Sequence, residues 1–98
     1  MSITKEYRET NSRDLYIIRY EDEGETWRAY ADEHPDNPYS TEVMKCHLYS
    51  DGEICVDRGK FNPTTFDQIK AVVYLWMEGY SQYVRTSRFP ATGGRVNV

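Results

Sequence analysis

Around Ser50-Asp51-Gly52 the apolar residues alternate on both sides, and only one pairing of the two arms keeps them on a single face. Met44, Cys46 and Leu48 before the turn, and Ile54 and Val56 after it, recur at every second position, the period of a half-buried strand. A two-residue Asp-Gly loop sets Leu48 opposite Cys55 and mixes buried with exposed positions. A three-residue loop, with Ser50 and Asp51 right-handed and Gly52 left-handed, pairs Leu48 with Ile54 and His47 with Cys55. The second register satisfies the pattern. It predicts a tight hairpin over residues 47–57 with an imidazole beside a thiol on its outer face.

The rest of the chain surrounds this hairpin with recognisable elements. Residues 15–20, Leu-Tyr-Ile-Ile-Arg-Tyr, read as a β-branched and aromatic strand, and residues 26–32 as a second strand with Trp27, Ala29 and Ala31 inward. Between them Glu21-Asp22-Glu23-Gly24-Glu25 supplies a solvated turn. Pro35 and Pro38 make residues 34–40 a loop, because proline removes a ladder donor. Residues 41–49 and 53–57 are then the third and fourth strands.

A helix follows. Thr65 and Gln68 are spaced for a capping box, Pro63 ends the preceding extended segment, and Asp67 suits the positive helix start. The stripe Phe66, Ile69, Val73, Trp76, Met77, Tyr80 and Val84 runs at spacings of three and four to about Arg85. Gly79 inside it costs about 1 kcal/mol relative to alanine, which points to a close contact with the sheet or to a weak point. Phe89 is expected to dock.

The predicted fold is α+β: a four-stranded antiparallel meander followed by one long C-terminal helix packed on one face. Residues 1–13 read as a polar N-terminal arm, in which Ile3 and Tyr7 have the spacing of a short helical turn. Residues 14–90 form a single domain, and residues 91–98 a flexible tail. The core is expected to hold Ile18, Trp27, Ala29, Met44, Leu48, Ile54, Val56, Ile69, Val73 and Trp76.

Composition narrows the function classes. The net charge of -4 opposes a phosphate-tracking surface, so nucleic acid is not an expected partner. No apolar run approaches a membrane span, and the N-terminus lacks a secretory apolar region, so a cytoplasmic protein with no membrane partner is expected. Two cysteines in that setting read as free thiols. Cys46, His47, Cys55 and His34 lack a recognisable zinc spacing, and no metal or cofactor is expected. Nine tyrosines are a high share, expected on half-exposed strands; tyrosine-rich edges would permit a dimer without requiring one.

The candidate chemistry is therefore at Cys55. A thiol becomes nucleophilic when a neighbouring imidazolium favours its ionised form, and His47 across the ladder is close enough to act. Asp57 and Glu53 on the same face are placed to orient the ring. The same residues also read as a small strand cysteine and a half-exposed histidine with no chemistry.

His47-x-Tyr49-x-Asp51-Gly52-x-Ile54-Cys55-Val56, followed by Asn62-Pro63-Thr64 and a helix, resembles the active-site region of ubiquitin-conjugating enzymes, particularly their divergent bacterial relatives. The helical run 71–80 and the ending Thr86-Ser87-Arg88-Phe89-Pro90 are also similar to that bacterial group. The resemblance implies that Cys55 accepts the C-terminus of a ubiquitin-like protein as a thioester and passes it to an amine. His47 matches the first residue of the family's histidine motif. The implied partner is a ubiquitin-like protein or its activating enzyme. His47 stands closer to Cys55 than in the eukaryotic enzymes, and the asparagine that stabilises the oxyanion there has no counterpart here. A minimal or inactive relative fits the same residues. So does a non-catalytic protein-interaction module.

Overall fold

The β-branched and aromatic run that opens at Leu15 builds the central strand of a three-stranded antiparallel sheet. A computed structural model describes residues 1–57 and 59–90 of the chain. In it β1 (Ser2–Arg8), β2 (Leu15–Asp22) and β3 (Trp27–Glu33) lie in the order β1-β2-β3. On one face of β2, Tyr16, Ile18 and Tyr20 are fully buried; Ala29 and Ala31 of β3 continue that face, Ala29 opposite Tyr20 and Ala31 opposite Ile18. The expected tail, residues 91–98, lies outside the described residues, as does Arg58.

The polar segment expected as an arm supplies β1. Ile3 pairs with Tyr20 and Tyr7 with Tyr16, and the hydroxyls of Tyr7 and Tyr20 are 2.8 Å apart. Apolar residues four apart share a strand face as readily as a helical one, and backbone pairing with β2 selects the strand. The turn into β2 is closed by the carboxylate of Glu9, buried against the Asn11 and Ser12 N–H groups at 3.2 and 2.8 Å and the Ser12 hydroxyl at 2.7 Å.

The helix α2 spans Phe66–Thr86 and starts as predicted: the Thr65 hydroxyl accepts the Gln68 N–H while the Gln68 side chain accepts that of Thr65. It lays Ile69, Val73, Trp76 and Tyr80 on the sheet, with the Trp76 and Tyr16 rings edge to face at 5.6 Å. The Tyr16 hydroxyl reaches Ser81 Oγ at 2.7 Å and the Met77 carbonyl at 3.2 Å, so the buried polar groups between strand and helix satisfy one another. Tyrosines are thus core residues here: Tyr80 is buried as the helical stripe predicts, and Tyr16 and Tyr20 of β2 are buried as well, against the expectation that tyrosines line half-exposed strands. None of the described helices is long and apolar enough to cross a membrane.

At the far end of α2, Arg85 makes a two-pronged ion pair with Asp14 at 2.7 and 2.9 Å, tying the start of β2 to the helix. The guanidinium holds the Asp14 carboxyl down to about 2. A depressed carboxylate stabilises the fold above its unfolded value near 4, and that contribution disappears as pH falls toward 2. Arg85 is half exposed, so water screens the pair and its contribution is small. Asp14→Asn is expected to be less stable than the parent at pH 7 and to converge on it as pH falls through about 2. Denaturant unfolding across that pH range checks this; a constant gap at every pH would contradict it.

Two expected strands are absent. Residues 41–49 carry a single helical turn, α1 (Val43–Cys46), and residues 53–57 contribute only isolated bridges, Leu48 to Ile54 and Tyr30 to Glu53. The apolar period of two over 44, 46 and 48 is reinterpreted by that turn, which points Met44 into solvent at 81% exposure while keeping Cys46 at 2%. Met44 is accordingly not a core residue. The Cys46 carbonyl accepts the buried Trp76 indole N–H at 3.2 Å, an anchor that pulls the turn onto α2. Of the other expected core positions, Ile18, Ala29, Ile54, Ile69, Val73 and Trp76 are buried, and Trp27, Leu48 and Val56 pack against them half-buried.

Candidate functional site

The turn at Ser50-Asp51-Gly52 closes in the expected register. Gly52 adopts a positive φ of 92°, its N–H bonds the Tyr49 carbonyl at 2.9 Å, and Leu48 bridges Ile54. The Tyr49 N–H reaches the Glu53 carbonyl at 2.8 Å, and the Cys55 N–H reaches the His47 carbonyl at 3.0 Å. The hairpin hangs on the outer edge of β3 through Ala31 N–H to the Gly52 carbonyl and Ile54 N–H to the Ala29 carbonyl, both 2.8 Å. Arg28 of β3 adds an ion pair to Glu53 at 2.7 Å, besides one to Glu23 at 2.8 Å. These bonds tie the backbone that carries Cys55 to β3.

Both cysteines are free, and they differ in access. Cys46 is buried with its thiol toward the Leu48 carbonyl at 3.7 Å. Cys55 is half-buried, and its thiol donates toward the Tyr49 hydroxyl oxygen at 3.8 Å. Tyr49 is half exposed and also lines a cleft of about 390 Å³ with Arg28, Ser50, Asp51, Glu53 and Val56. A phenol is both donor and acceptor, so the same hydroxyl that accepts the S–H is able to donate to a thiolate.

His47 and Cys55 meet through backbone, and their side chains go to different partners. His47 is the left-handed residue that ends α1, with φ 58°, and its ring packs against Phe89 at 4.5 Å between centroids. A strand conformation would have stood the imidazole over the thiol; the left-handed one turns it aside. Burial pushes the His47 imidazole below its ordinary value, which favours the neutral ring. Asp57 lies exposed in the turn that follows, where its carbonyl accepts the Lys60 and Phe61 N–H groups at 3.0 and 2.9 Å. The residue that sequence reasoning left without a role is Tyr49. The register already held the signal, because Tyr49 opposite Glu53 is diagonal to Cys55, within reach of an aromatic side chain.

Among the described residues, no group of three or more His, Cys, Asp or Glu side chains is placed to hold a metal ion. The site thus consists of a partly accessible thiol, a phenol in contact with it, and an open cleft beside a rigid turn. No family model, curated protein or solved structure matches the chain.

Proposed function

We propose that Cys55 is an acyl carrier of the ubiquitin-conjugating type, on a domain smaller than that family's usual form. One observation carries the reading: the half-accessible thiol sits on a hydrogen-bonded turn, anchored to β3, within the His47-x-Tyr49-x-Asp51-Gly52-x-Ile54-Cys55 pattern. In the loading step the Cys55 sulfur attacks the carbonyl carbon of an incoming thioester. The new C–S bond forms, the donor's C–S bond breaks, and the donor thiolate departs with the proton that Cys55 gives up. In the discharge step an amine attacks the same carbon, loses a proton to water, and Cys55 leaves as the thiolate. Tyr49 supplies a hydrogen bond to that sulfur in both steps. His47 supports the site through its carbonyl, which holds the Cys55 N–H, and Asp57 flanks it.

The partner that fits is a ubiquitin-like protein with an extended C-terminus, delivered by its activating enzyme. Such a role belongs in the reducing cytoplasm, where free thiols persist. A second reading, a non-catalytic protein-interaction module, draws on Met44, which projects from α1 at 81% exposure, and on the half-exposed Tyr39 and Tyr49.

The two readings part at the thiol. Iodoacetamide applied to the folded protein at neutral pH is expected to label Cys55, and to label Cys46 only after unfolding. Mass mapping of the alkylated peptides checks this. A Cys55 that stays unlabelled while folded ends the carrier reading and leaves the module.

A further inference from the structure

Three features meet at Phe89. Ser87 ends α2 in the left-handed conformation at φ 64°, and Thr86 Oγ1 accepts the Arg88 N–H at 3.2 Å, so the chain turns back along the helix. That reversal delivers the Phe89 ring to Gly79, where any Cβ would overlap its Cε1 and Cζ atoms. The same ring meets the imidazole of His47, whose carbonyl holds the Cys55 N–H, in an edge contact. Glycine within a helix is unfavourable, and the slot it leaves is what admits the ring.

We propose that residues 87–90 are a latch on the Cys55 hairpin: Phe89, seated in the slot at Gly79, covers part of the half-buried imidazole of His47 and steadies the backbone bond between His47 and Cys55. Phe89 and Gly79 are then positioning residues for the hairpin, acting through His47. The latch stands on packing alone and holds whether or not Cys55 carries an acyl group. Burial is the one cause of the lowered His47 titration. Its titratable neighbours, Lys45 and Cys46 on α1 and Cys55 across the hairpin, contribute nothing to the lowering. Withdrawing the ring exposes more of the imidazole and is expected to weaken that lowering.

Two substitutions open the latch from opposite sides. Phe89→Ala removes the ring. Gly79→Ala fills the slot and displaces the far edge of a side chain near the chain end, while alanine favours the helix more than glycine does. NMR titration of the His47 ring and amide exchange at Cys55 are the readouts, with far-ultraviolet circular dichroism to show that α2 is intact. In both variants His47 is expected to titrate at higher pH, toward the ordinary imidazole value, and the Cys55 amide to exchange several-fold faster. If Phe89→Ala fails to fold, Gly79→Ala decides alone. A His47 midpoint and a Cys55 exchange rate unchanged in a helical Gly79→Ala protein would overturn the latch.

Discussion

Trp76→Ala is expected to remove about 3–5 kcal/mol of folding stability, the range for truncating a large buried aromatic. The indole is 4% exposed and packs against Tyr16 at 5.6 Å and Tyr80 at 4.7 Å, so alanine leaves a cavity between helix and sheet. It also strips the Cys46 carbonyl of its indole donor, and an unpaired carbonyl in that setting costs on the order of 1 kcal/mol or more within that range. A domain of this size holds roughly 5–15 kcal/mol in all, so the variant stands close to unfolding. α1 is expected to loosen first, because the indole is its tie to α2. Urea unfolding followed by circular dichroism gives the loss. A cost below about 1 kcal/mol would show that Trp76 does not anchor the core.

The helix was legible because its signals are local. Thr65 and Gln68 cap one another across three residues, and Ile69, Val73, Trp76 and Tyr80 repeat at helical spacing, so no distant contact is needed to read them. β2 and β3 were legible for a similar reason, the alternation of apolar residues through Tyr20 and Ala29. β1 was not, since only Ile3 and Tyr7 mark it as apolar, and its pairing with β2 is a long-range fact. The segment 41–49 misled because an alternation of only three residues is too short to outweigh one helical turn, which sends Met44 and Cys46 to opposite sides, and a bond from Trp76, thirty residues away, selects the turn.

The hairpin shows the same division. Its register was readable from turn chemistry, and Leu48 does pair with Ile54. The conformation of His47 was not, because its left-handed φ belongs to α1, an element absent from the strand reading. Gly79 points to a close contact with the sheet or to a weak point, and the contact it makes is with Phe89 rather than the sheet. Distant packing in each case decided what a local pattern left open.

On the carrier reading proposed above, the largest expected effect is at Cys55. Cys46 is buried, so a bulky acyl donor cannot reach it in the folded state, whereas Cys55 stands half-open on the hairpin. Cys55→Ala is therefore expected to abolish acyl loading and to leave the fold in place, since it deletes one half-exposed sulfur whose contact is the Tyr49 hydroxyl. Cys46→Ser tests the converse and is expected to load like the parent wherever it remains folded.

The direct measurement is transfer from a short synthetic peptide thioester ending in Gly-Gly to the folded protein, followed by intact mass and peptide mapping. The carrier reading predicts one acyl adduct at Cys55, released by hydroxylamine as a thioester should be, present in Cys46→Ser and missing in Cys55→Ala. No adduct on the folded protein, or equal acylation of the Cys55→Ala variant, would contradict it.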